Sequence, residues 1–240
     1  MIKVAIIGYG KMGHEVEKIL QKWNIPIAVI IDSENDWIEK WDQFLQSSVA
    51  IEFSSPEIAP HHFKKCFENQ IPLVSGTTGW YSQFFEIIDM ASQLNSSFIY
   101  GTNFSIGANL FFSSVAYLSK LINIQSQYDC SIEETHHITK KDAPSGTAIT
   151  TAELILQELN SKTEWVKGNP LNHKQLPIYS YRVGEAIGEH NVTFSSNEDS
   201  LSIVHRANNR VGFATGAVKA AIWLLKNPGI YNISEIFMKI

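Results

Sequence analysis

The segment Glu133–Ala148, with the sequence EETHHITKKDAPSGTA, carries a high density of side chains that can take part in chemistry. Two histidines are adjacent, two lysines and an aspartate follow, and the residues from 145 to 160 have a pattern that predicts a helix. Such groups can ligate a metal, activate a nucleophile or hold an anion, and they can also form a plain solvated loop. The spacing of the residues distinguishes these possibilities.

A metal site is the least favoured of the four possible functions of this segment. His136 and His137 are adjacent, so in a strand their side chains point to opposite faces. Zinc ligands on one element are usually separated by about two to four residues, and the segment has no H-E-x-x-H pattern. The lysines nearby would repel a cation. We therefore predict no metal here.

A hydrolase nucleophile is also disfavoured. Ser145 has histidines near it in sequence, but it lacks the G-x-S-x-G pattern that forms a nucleophile elbow. Its position directly before GTAITTAELILQEL suits a helix N-cap, which is the better interpretation of its side chain. Asp142 can form a turn before Pro144.

A site for an anion fits the segment better. Gly146 and Thr147 would present backbone N–H groups at a helix start, and Lys140 and His137 would add positive charge or donors. Such a loop suits a substrate that bears carboxylates. His136 can supply a proton near neutral pH. The alternative that remains open is a solvated polar loop without function.

A second motif lies at the N-terminus, where GYGKMG, residues 8–13, matches G-x-G-x-x-G. It follows a predicted strand and opens a predicted helix, which is the context that dinucleotide binding requires. Asp32 lies 19 residues after Gly13, at the end of the second predicted strand, where an acid accepts hydrogen bonds from a ribose. Ser33 follows it without an adjacent arginine, which favours NADH over NADPH. The alternative is an ordinary strand–helix turn with a loop-capping aspartate.

The segments EFSSPE, 52–57, and SGTTGW, 75–80, lie at the carboxyl ends of two further predicted strands. Open α/β sheets bind ligands at the carboxyl ends of their strands. Glycine and threonine in the second segment can offer donors to a nicotinamide or its ribose, although both segments could equally be ordinary turns.

The elements that must position these residues follow from the apolar pattern. Short apolar runs predict buried strands, and the segments between them have helical spacing. Predicted strands are residues 3–7, 25–32, 49–54, 71–76 and 96–101, and the helices between them include residues 56–70 and 81–94. This alternation predicts a Rossmann-type, doubly wound parallel sheet of the α/β class.

The pattern changes after Asn103, which predicts a second, α+β domain with a mixed or antiparallel sheet. The expected helices are residues 105–122 and 145–160, the expected strands are residues 128–137, 177–183, 189–195 and 199–206, and residues 216–225 form a closing helix.

Composition narrows the class of protein. The 240 residues are 44% hydrophobic and 18% charged, with a net charge of −5 that argues against a nucleic-acid binder. The two cysteines, Cys66 and Cys130, have no metal-ligand spacing, and a reducing, cytoplasmic setting is expected. The apolar start of the chain is too short for a signal peptide. No window approaches the ~18 apolar residues of a membrane helix, so no membrane partner is expected.

Residues 134–148, ETHHITKKDAPSGTA, closely resemble the signature E-x-H-H-x-x-K-x-D-A-P-S-G-T-A of the 4-hydroxy-tetrahydrodipicolinate reductase family, also called dihydrodipicolinate reductases. GYGKMG, GTTGW and GTNFSIGAN resemble that family's cofactor segments. YRVGEAIGEH, 181–190, and HRANNRVGFATGAVKAAIWL, 205–224, resemble its substrate-domain sheet and return helix.

The resemblance implies an enzyme of lysine and meso-diaminopimelate synthesis. It would transfer hydride from NADH or NADPH to C4 of a cyclic imine dicarboxylate, with water lost from the 4-hydroxy precursor, giving tetrahydrodipicolinate. The implied assembly is a homotetramer formed through the substrate-domain sheets. The implied domains are a discontinuous dinucleotide-binding domain, 1–103 and 214–240, and a substrate-binding and oligomerisation domain, 104–213.

The resemblance also implies roles for single residues. His136 and Lys140 would transfer protons, Lys140 would also pair with a substrate carboxylate, and which of the two delivers the proton stays open. The implied substrate binders are His137, Gly146 and Thr147. The implied cofactor residues are Gly8, Tyr9, Gly10, Lys11, Met12, Gly13, Asp32, Gly76, Thr77, Thr78, Gly101, Thr102, Asn103 and Phe104.

The chain departs from the family in the short span from Asp32 to Val49, where we expect a trimmed cofactor domain and an altered adenosine pocket. The missing arginine after Asp32 puts NADPH use in doubt. A different two-domain dehydrogenase and a non-catalytic NAD-binding sensor are the competing hypotheses. The 134–148 motif speaks against the first, and intact His136 and Lys140 speak against the second.

Overall fold

The computed structural model describes residues 2–240, and the chain divides into two compact units. Unit 1 comprises Met1–Ile106 and Arg210–Ile240, and unit 2 comprises Gly107–Asn209. In chain order the helices and strands are β1 (Val4–Ile7), α1 (Lys11–Lys22), β2 (Ile27–Ile31), α2 (Glu34–Glu39), α3 (Trp41–Phe44), β3 (Val49–Glu52), α4 (Ala59–Glu68), β4 (Leu73–Ser75), α5 (Phe84–Gln93), β5 (Phe98–Tyr100), α6 (Ile106–Ile122), β6 (Asp129–His136), α7 (Gly146–Glu158), β7 (Glu164–Lys167), β8 (Gln175–Arg182), β9 (Glu189–Ser195), β10 (Ser200–Arg206), α8 (Val211–Leu224), β11 (Ile230–Asn232) and α9 (Ile233–Ile236).

Unit 1 is built on a parallel sheet with the strand order β11-β5-β4-β3-β1-β2. Successive residues of β1 face opposite sides: Val4 and Ile6 pack with α1 and α8, whereas Ala5 and Ile7 pack with α2 to α5. A strand that is buried on both faces must be apolar throughout, which explains the uninterrupted VAII run. The predicted doubly wound parallel sheet is therefore confirmed.

Several elements of unit 1 differ from the expected ones. The span after Asp32 forms α2 and α3, which the pattern did not predict because each is only four to six residues long. They are stabilised by a capping box between Ser33 and Asp36 and by packing of Trp37 against Phe44, with ring centroids 4.9 Å apart. β11 was also not predicted, and it adds a sixth strand at the edge of the sheet.

Three helix starts were misplaced. α5 begins at Phe84 and not at residue 81, since Tyr81–Gln83 form a 3₁₀ helix. α4 begins at Ala59 and not at Pro56, with Pro60 in its first turn, where a missing N–H costs nothing. α8 begins at Val211 and not at residue 216. Among residues 2–240, no helix has the length and apolar character needed to cross a membrane.

Unit 2 contains a mixed sheet with the order β10-β9-β6-β8-β7, which is one of the two alternatives, mixed or antiparallel, that the sequence left open. β6 pairs parallel with β8 and antiparallel with β9. β7 was not predicted, since its four residues are half-buried or exposed and carry no apolar alternation. Helices α6 and α7 cover one face of the sheet, where Ile132, Ile178 and Val192 form the centre of the core.

Strand alternation directs the remaining side chains of unit 2 to the opposite face of its sheet. Glu133, Tyr181 and Val204 are exposed there, with Tyr181 47% and Val204 52% accessible. On β6 the alternation places Glu134 and His136 on the helix-covered side, with Ile132 between Cys130 and Glu134 in the same row. The fold therefore directs two polar residues of the motif into the interior of unit 2.

Candidate active site

The glycine-rich turn joins β1 to α1 in unit 1. Gly8 has a φ of +84°, and a Cβ there would lie 2.2 Å from the carbonyl oxygen of Phe53. A Cβ at Gly13 would lie 2.3 Å from the carbonyl oxygen of Gly8, so only glycine lets α1 approach the turn this closely. Gly10 precedes α1 without a side-chain cap, and no atom lies within 4 Å of its Cβ position. This leaves room for a pyrophosphate beside the first N–H groups of α1.

Asp32 is exposed at the end of β2, and its carboxylate is tied to the same turn. Its Oδ1 atom accepts a hydrogen bond from the backbone N–H of Tyr9 at 2.6 Å. Its own N–H donates to Oδ2 of Asp36 at 2.9 Å. The carboxylate is thus fixed beside the glycine turn, where a Rossmann-type site holds the adenosine ribose.

A cavity of about 440 Å³ opens next to Asp32. Its lining residues are Gly8, Tyr9, Gly10, Ile31, Asp32, Ser33, Glu34, Phe53, Ser54, Ser55, Ile58 and His62. The described lining residues include two carboxylates and neither lysine nor arginine.

A second cavity of about 410 Å³ brings together segments that are far apart in sequence. It is lined by Gly10, Lys11, Met12, Phe53, Ser54, Pro56, Gly76, Thr77 and Thr78. The residues predicted in the glycine turn and in the SGTTGW segment thus share one cavity wall. Thr78 is exposed there, whereas the hydroxyl of Thr77 is already used within the protein.

Glu52, at the end of β3, is the residue that holds these loops, and sequence reasoning missed its role. Its side chain is fully buried and accepts hydrogen bonds from the hydroxyls of Ser75 at 2.6 Å and Thr77 at 2.9 Å. It also accepts from the backbone N–H of Ser54 at 2.9 Å, and Nδ1 of His62 lies 3.8 Å away. A buried carboxylate needs such donors. The loops after β3 and β4 are therefore fastened to one acid.

The last predicted cofactor segment, Gly101–Phe104, follows β5. Gly101 packs against Ile233, and Phe104 is 2% exposed within the core of unit 1. The Asn103 side chain is buried and accepts from the N–H of Ser105 at 2.9 Å. Thr102 is exposed. The segment lies in the same unit as the other predicted cofactor residues, but outside the linings of the two cavities.

The histidine–lysine segment belongs to unit 2, where β6 ends at His136. The imidazole of His136 is 8% exposed, and its Nδ1 atom lies 3.4 Å from Oε2 of Glu134. A Cβ at Gly188 would lie 3.0 Å from Nε2 of His136, so a glycine there makes room for the ring. His190 contributes a second buried ring, with its centroid 5.1 Å from that of His136.

Glu134 links β6 to the start of α7. The backbone N–H of Ser145 lies 3.1 Å from both carboxylate oxygens of Glu134. The Ser145 hydroxyl accepts from the N–H of Ala148 and lies 3.1 Å from Nε2 of His190. The N-cap role predicted for Ser145 is confirmed. Gly146, in the first turn of α7, is exposed, and no atom lies within 4 Å of its Cβ position.

Lys140 lies in the irregular segment between β6 and α7 and is half-buried. Its Nζ donates to the carboxylate of Asp142 at 2.8 Å. His137 is also half-buried, and its Nδ1 lies 2.7 Å from the hydroxyl of Thr139. The structure thus gives the two histidines separate surroundings, because His136 belongs to the buried cluster and His137 to the loop.

The electrostatic environment differs between the titratable groups of unit 2. Burial by itself would raise the pKa of Glu134. Hydrogen bonds from Ser145 and the charge of His136 have the larger combined effect, so the pKa of Glu134 is lowered from its ordinary value. Burial lowers the pKa of His136, and the carboxylate of Glu134 offsets only part of this effect. Burial and the charge of His136 lower the pKa of His190 to about 3, which keeps that imidazole neutral.

Glu134, His136 and His190 also have the donor types of a metal site, with one donor atom from each within 4.8 Å of the others. Both oxygens of Glu134 already accept from the N–H of Ser145, and Arg182 donates to Oε1 at 3.3 Å. The positive charge of the Arg182 guanidinium would repel a metal ion bound to the same carboxylate. We assign no metal to the cluster.

Arg182 and His190 were missed as site residues, although both lie in the segment YRVGEAIGEH. The sequence offered little reason to select them, because each is a single polar residue within a segment that has the pattern of a strand. Glu134 was a fixed position of the quoted motif but received no role. Only strand pairing places these residues together, since β6 lies between β8 and β9.

Comparisons with known proteins give a consistent result. The family model described as "Dihydrodipicolinate reductase, N-terminus" matches residues 2–104, and that described as "Dihydrodipicolinate reductase, C-terminus" matches residues 107–237. The chain is 37% identical to the 4-hydroxy-tetrahydrodipicolinate reductase of Christiangramia forsetii, over 98% of this chain and 97% of that protein. It is 36% identical to the protein of that name from Rickettsia rickettsii, over 99% of both chains.

The fold is also similar to a solved structure. A dipicolinate-bound dihydrodipicolinate reductase from Paenisporosarcina sp. TG-14 has a TM-score of 0.75 and 24% sequence identity. The match covers 98% of this chain and 99% of that one. This likeness supports the architecture of each unit.

Proposed function

The chain belongs to the dihydrodipicolinate reductase family, and we propose on that basis that it reduces 4-hydroxy-tetrahydrodipicolinate with NAD(P)H, giving tetrahydrodipicolinate and water. This is a step of lysine and diaminopimelate synthesis. Matches that together cover residues 2–104 and 107–237 carry the proposal. A bound nicotinamide cofactor would supply the hydride.

We propose that residues 1–103 and 214–240 form the dinucleotide-binding domain and residues 104–213 the substrate-binding and oligomerisation domain. In the structure, the glycine turn, Asp32 and the Gly76–Thr78 segment all lie in unit 1. His136, Lys140 and Thr147 lie in unit 2. Each predicted set is therefore held within one compact unit.

The proposed substrate site of unit 2 fits a dianion. Lys140 offers an ammonium group, His137 a polar ring, and Gly146 and Thr147 stand at the start of α7, whose first N–H groups favour negative charge. Asp142 holds Lys140 in the present arrangement. A substrate carboxylate would compete with Asp142 for that ammonium.

For proton delivery we propose Lys140 as the donor and His136 as the group that orients the substrate and exchanges the proton. The Lys140 side chain offers three N–H donors and lies in the loop that follows β6. Burial lowers the pKa of His136, so its neutral form is favoured there. Lys140 would then act as the acid, while neutral His136 orients the substrate by hydrogen bonding.

We propose NADH as the favoured cofactor. Asp32 and Glu34 line the cavity beside the glycine turn, and the described lining of that cavity contains no lysine or arginine to pair with a 2′-phosphate. Two carboxylates there would repel the phosphate of NADPH.

We further propose a homotetramer in the cytoplasm. The face of the unit 2 sheet opposite α6 and α7 exposes Tyr181 and Val204, which could pack against a second copy. Both cysteines are free and buried, which agrees with a reducing compartment. Light scattering on the purified chain would measure its mass in solution, and a monomer would contradict the tetramer.

The function is tested by following NADH and NADPH oxidation while the substrate is made in place from pyruvate and aspartate semialdehyde by the preceding synthase. Turnover that depends on the synthase would support the proposal. NADH binding without turnover would favour a sensor, and turnover only with another amino or hydroxy acid would favour a different dehydrogenase.

A further inference from the structure

Glu134 is a carboxylate buried to 1% exposure at the centre of unit 2. An ionised group in such a place is stable only when donors surround it. Its hydrogen-bond donors come from two other elements, Ser145 at the start of α7 and Arg182 on β8, and Nδ1 of His136 on β6 lies 3.4 Å away. The fold has therefore gathered several polar residues around one acid.

Arg182 continues this arrangement outward. One edge of its guanidinium meets Glu134, with Nη2 3.3 Å from Oε1. The same group donates to the backbone carbonyls of Asp142 and, from Nε at 3.4 Å, of Lys140. The planar guanidinium thus joins the buried acid to the segment that carries Lys140.

That segment, residues 137–145, contains neither helix nor strand. Its backbone is held by few contacts, among them the N–H of Ile138 to the carbonyl of Gly184 at 3.2 Å and the N–H of Lys140 to the carbonyl of His137 at 3.1 Å. The two carbonyls that Arg182 contacts flank Lys141. The position of the Lys140 side chain therefore depends on Arg182.

Glu134 has a second effect, on the charge of His136. The charged or titratable groups that face His136 are Glu134 from its own strand, Lys140 and Asp142 from the loop, Arg182 from β8 and His190 from β9. Of the two acids Glu134 has the larger effect, and it favours the protonated imidazole, whereas Lys140 and Arg182 oppose it.

We propose that Glu134 and Arg182 are positioning residues of the reductase: Arg182 fixes the loop that presents Lys140, and Glu134 anchors Arg182 and sets the protonation of His136. This inference rests on the proposed function. Neither residue needs to touch the substrate, because both act through Lys140 and His136.

The test of the loop role compares Arg182→Lys and Arg182→Ala with Arg206→Lys in the intact protein. Lysine keeps the positive charge but lacks the planar guanidinium, whose several N–H groups reach two backbone carbonyls and the carboxylate of Glu134 at once. Arg206 is a matched control, because it is an exposed arginine of the same sheet and pairs with Glu189 at 2.6 Å. NADH affinity, kcat and KM are measured for each.

We expect Arg182→Lys to lower kcat/KM on the order of 100-fold, as a displaced catalytic group does. NADH affinity should stay within about twofold of wild type, because the cofactor residues lie in the other unit, and Arg206→Lys should behave like wild type. Partial recovery of Arg182→Ala by added methylguanidinium would support a positioning role. Wild-type kcat/KM in Arg182→Lys would overturn it.

The test of the charge role is an NMR titration of the imidazoles in wild type and Glu134→Gln, with His136→Asn used to assign the His136 signal. Glutamine keeps the shape but removes the negative charge, so the His136 pKa should fall. An unchanged His136 pKa would overturn this part.

The outcomes separate this inference from the proposed function. If the wild-type protein itself shows no turnover, the reductase proposal fails, and the NMR result still decides whether Glu134 controls His136. If the wild type turns over and Arg182→Lys does so equally well, only the positioning role fails.

Discussion

The backbone N–H of Ser145 points at the carboxylate of Glu134 and lies 3.1 Å from each of its oxygens. This bond fastens the first turn of α7 to the end of β6. Since Gly146 and Thr147 begin α7 and His136 ends β6, it also brings the proposed anion-binding and proton-transfer groups into one cluster.

Two substitutions at Ser145 should separate its hydroxyl from its N–H. Ser145→Ala removes the hydroxyl, which caps α7 and contacts Nε2 of His190, and should cost about 1–2 kcal/mol of unfolding free energy. Ser145→Pro removes the N–H as well, and the native φ of −70° already suits proline. It should cost about 1–3 kcal/mol more, because Glu134 loses a donor. Urea unfolding of both variants measures the difference, and equal stabilities would show that the bond to Glu134 is unimportant.

Lys140→Ala should reduce turnover by roughly two to four orders of magnitude, the range for loss of a general acid. NADH affinity should be nearly unchanged, since Lys140 lies in unit 2. Steady-state kinetics and NADH fluorescence titration provide the two readouts. Lys141→Ala, at the exposed neighbouring position, is the matched control. Equal loss of turnover and cofactor affinity in Lys140→Ala would argue that Lys140 is structural.

Glu52→Gln should loosen the loops that line the second cavity. The amide has one acceptor oxygen in place of two, while Ser75, Thr77 and Ser54 all donate to the native side chain. We expect a loss of about 1–3 kcal/mol in stability and weaker NADH binding. Thermal unfolding and NADH titration are the measurements, with the exposed Glu57→Gln as control. NADH affinity equal to wild type would remove Glu52 from the cofactor site.

Glu34→Arg should move cofactor preference toward NADPH. The substitution exchanges a carboxylate for a guanidinium in the lining of the first cavity, and arginine is well suited to a phosphate. The ratio of kcat/KM for NADPH over NADH should rise roughly tenfold or more, which corresponds to about 1.4 kcal/mol. Glu39→Arg, on the same helix but outside the cavity lining, should leave the ratio unchanged. A fixed ratio in both variants would place the ribose elsewhere.

The stability of the chain should fall as the pH drops below about 6.5. The pKa of His190 is lowered to about 3 in the folded protein by burial and by the charge of His136, so the unfolded chain binds the proton first. The neutral His190 side chain therefore contributes its full stabilisation above the pKa that histidine has in the unfolded chain. This stabilisation is lost as the pH falls toward the lower pKa of the folded protein, and the loss between pH 6.5 and pH 5 should be about 2 kcal/mol.

Urea unfolding at several pH values measures this slope. His136 and His205, whose pKa values are also lowered by burial, act in the same direction. His190→Asn should have a shallower slope than wild type in the same window. An equally steep slope in the variant would assign the effect to the other two histidines.

Local sequence predicted much of unit 1 correctly because parallel strands are apolar on both faces and glycine turns have strict steric demands. β1 and the Gly8–Gly13 turn are examples, since a Cβ at Gly8 or Gly13 would collide with backbone. The short helices α2 and α3 escaped prediction, because capping at Ser33 and packing around Trp37 stabilise them more than any periodic pattern does.

By itself the sequence determined the parallel α/β unit, a second sheet that is mixed or antiparallel, and the segment that holds His136, Lys140 and Ser145, because these depend on local pattern and on a long motif. The tertiary structure alone decided that Arg182 and His190 join Glu134, and that Glu52 fastens two loops. Those contacts join residues 48, 56 and 25 positions apart, from Arg182 and His190 to Glu134 and from Thr77 to Glu52. Strand pairing and the need of a buried carboxylate for donors create them, and neither leaves a periodic signal in the chain.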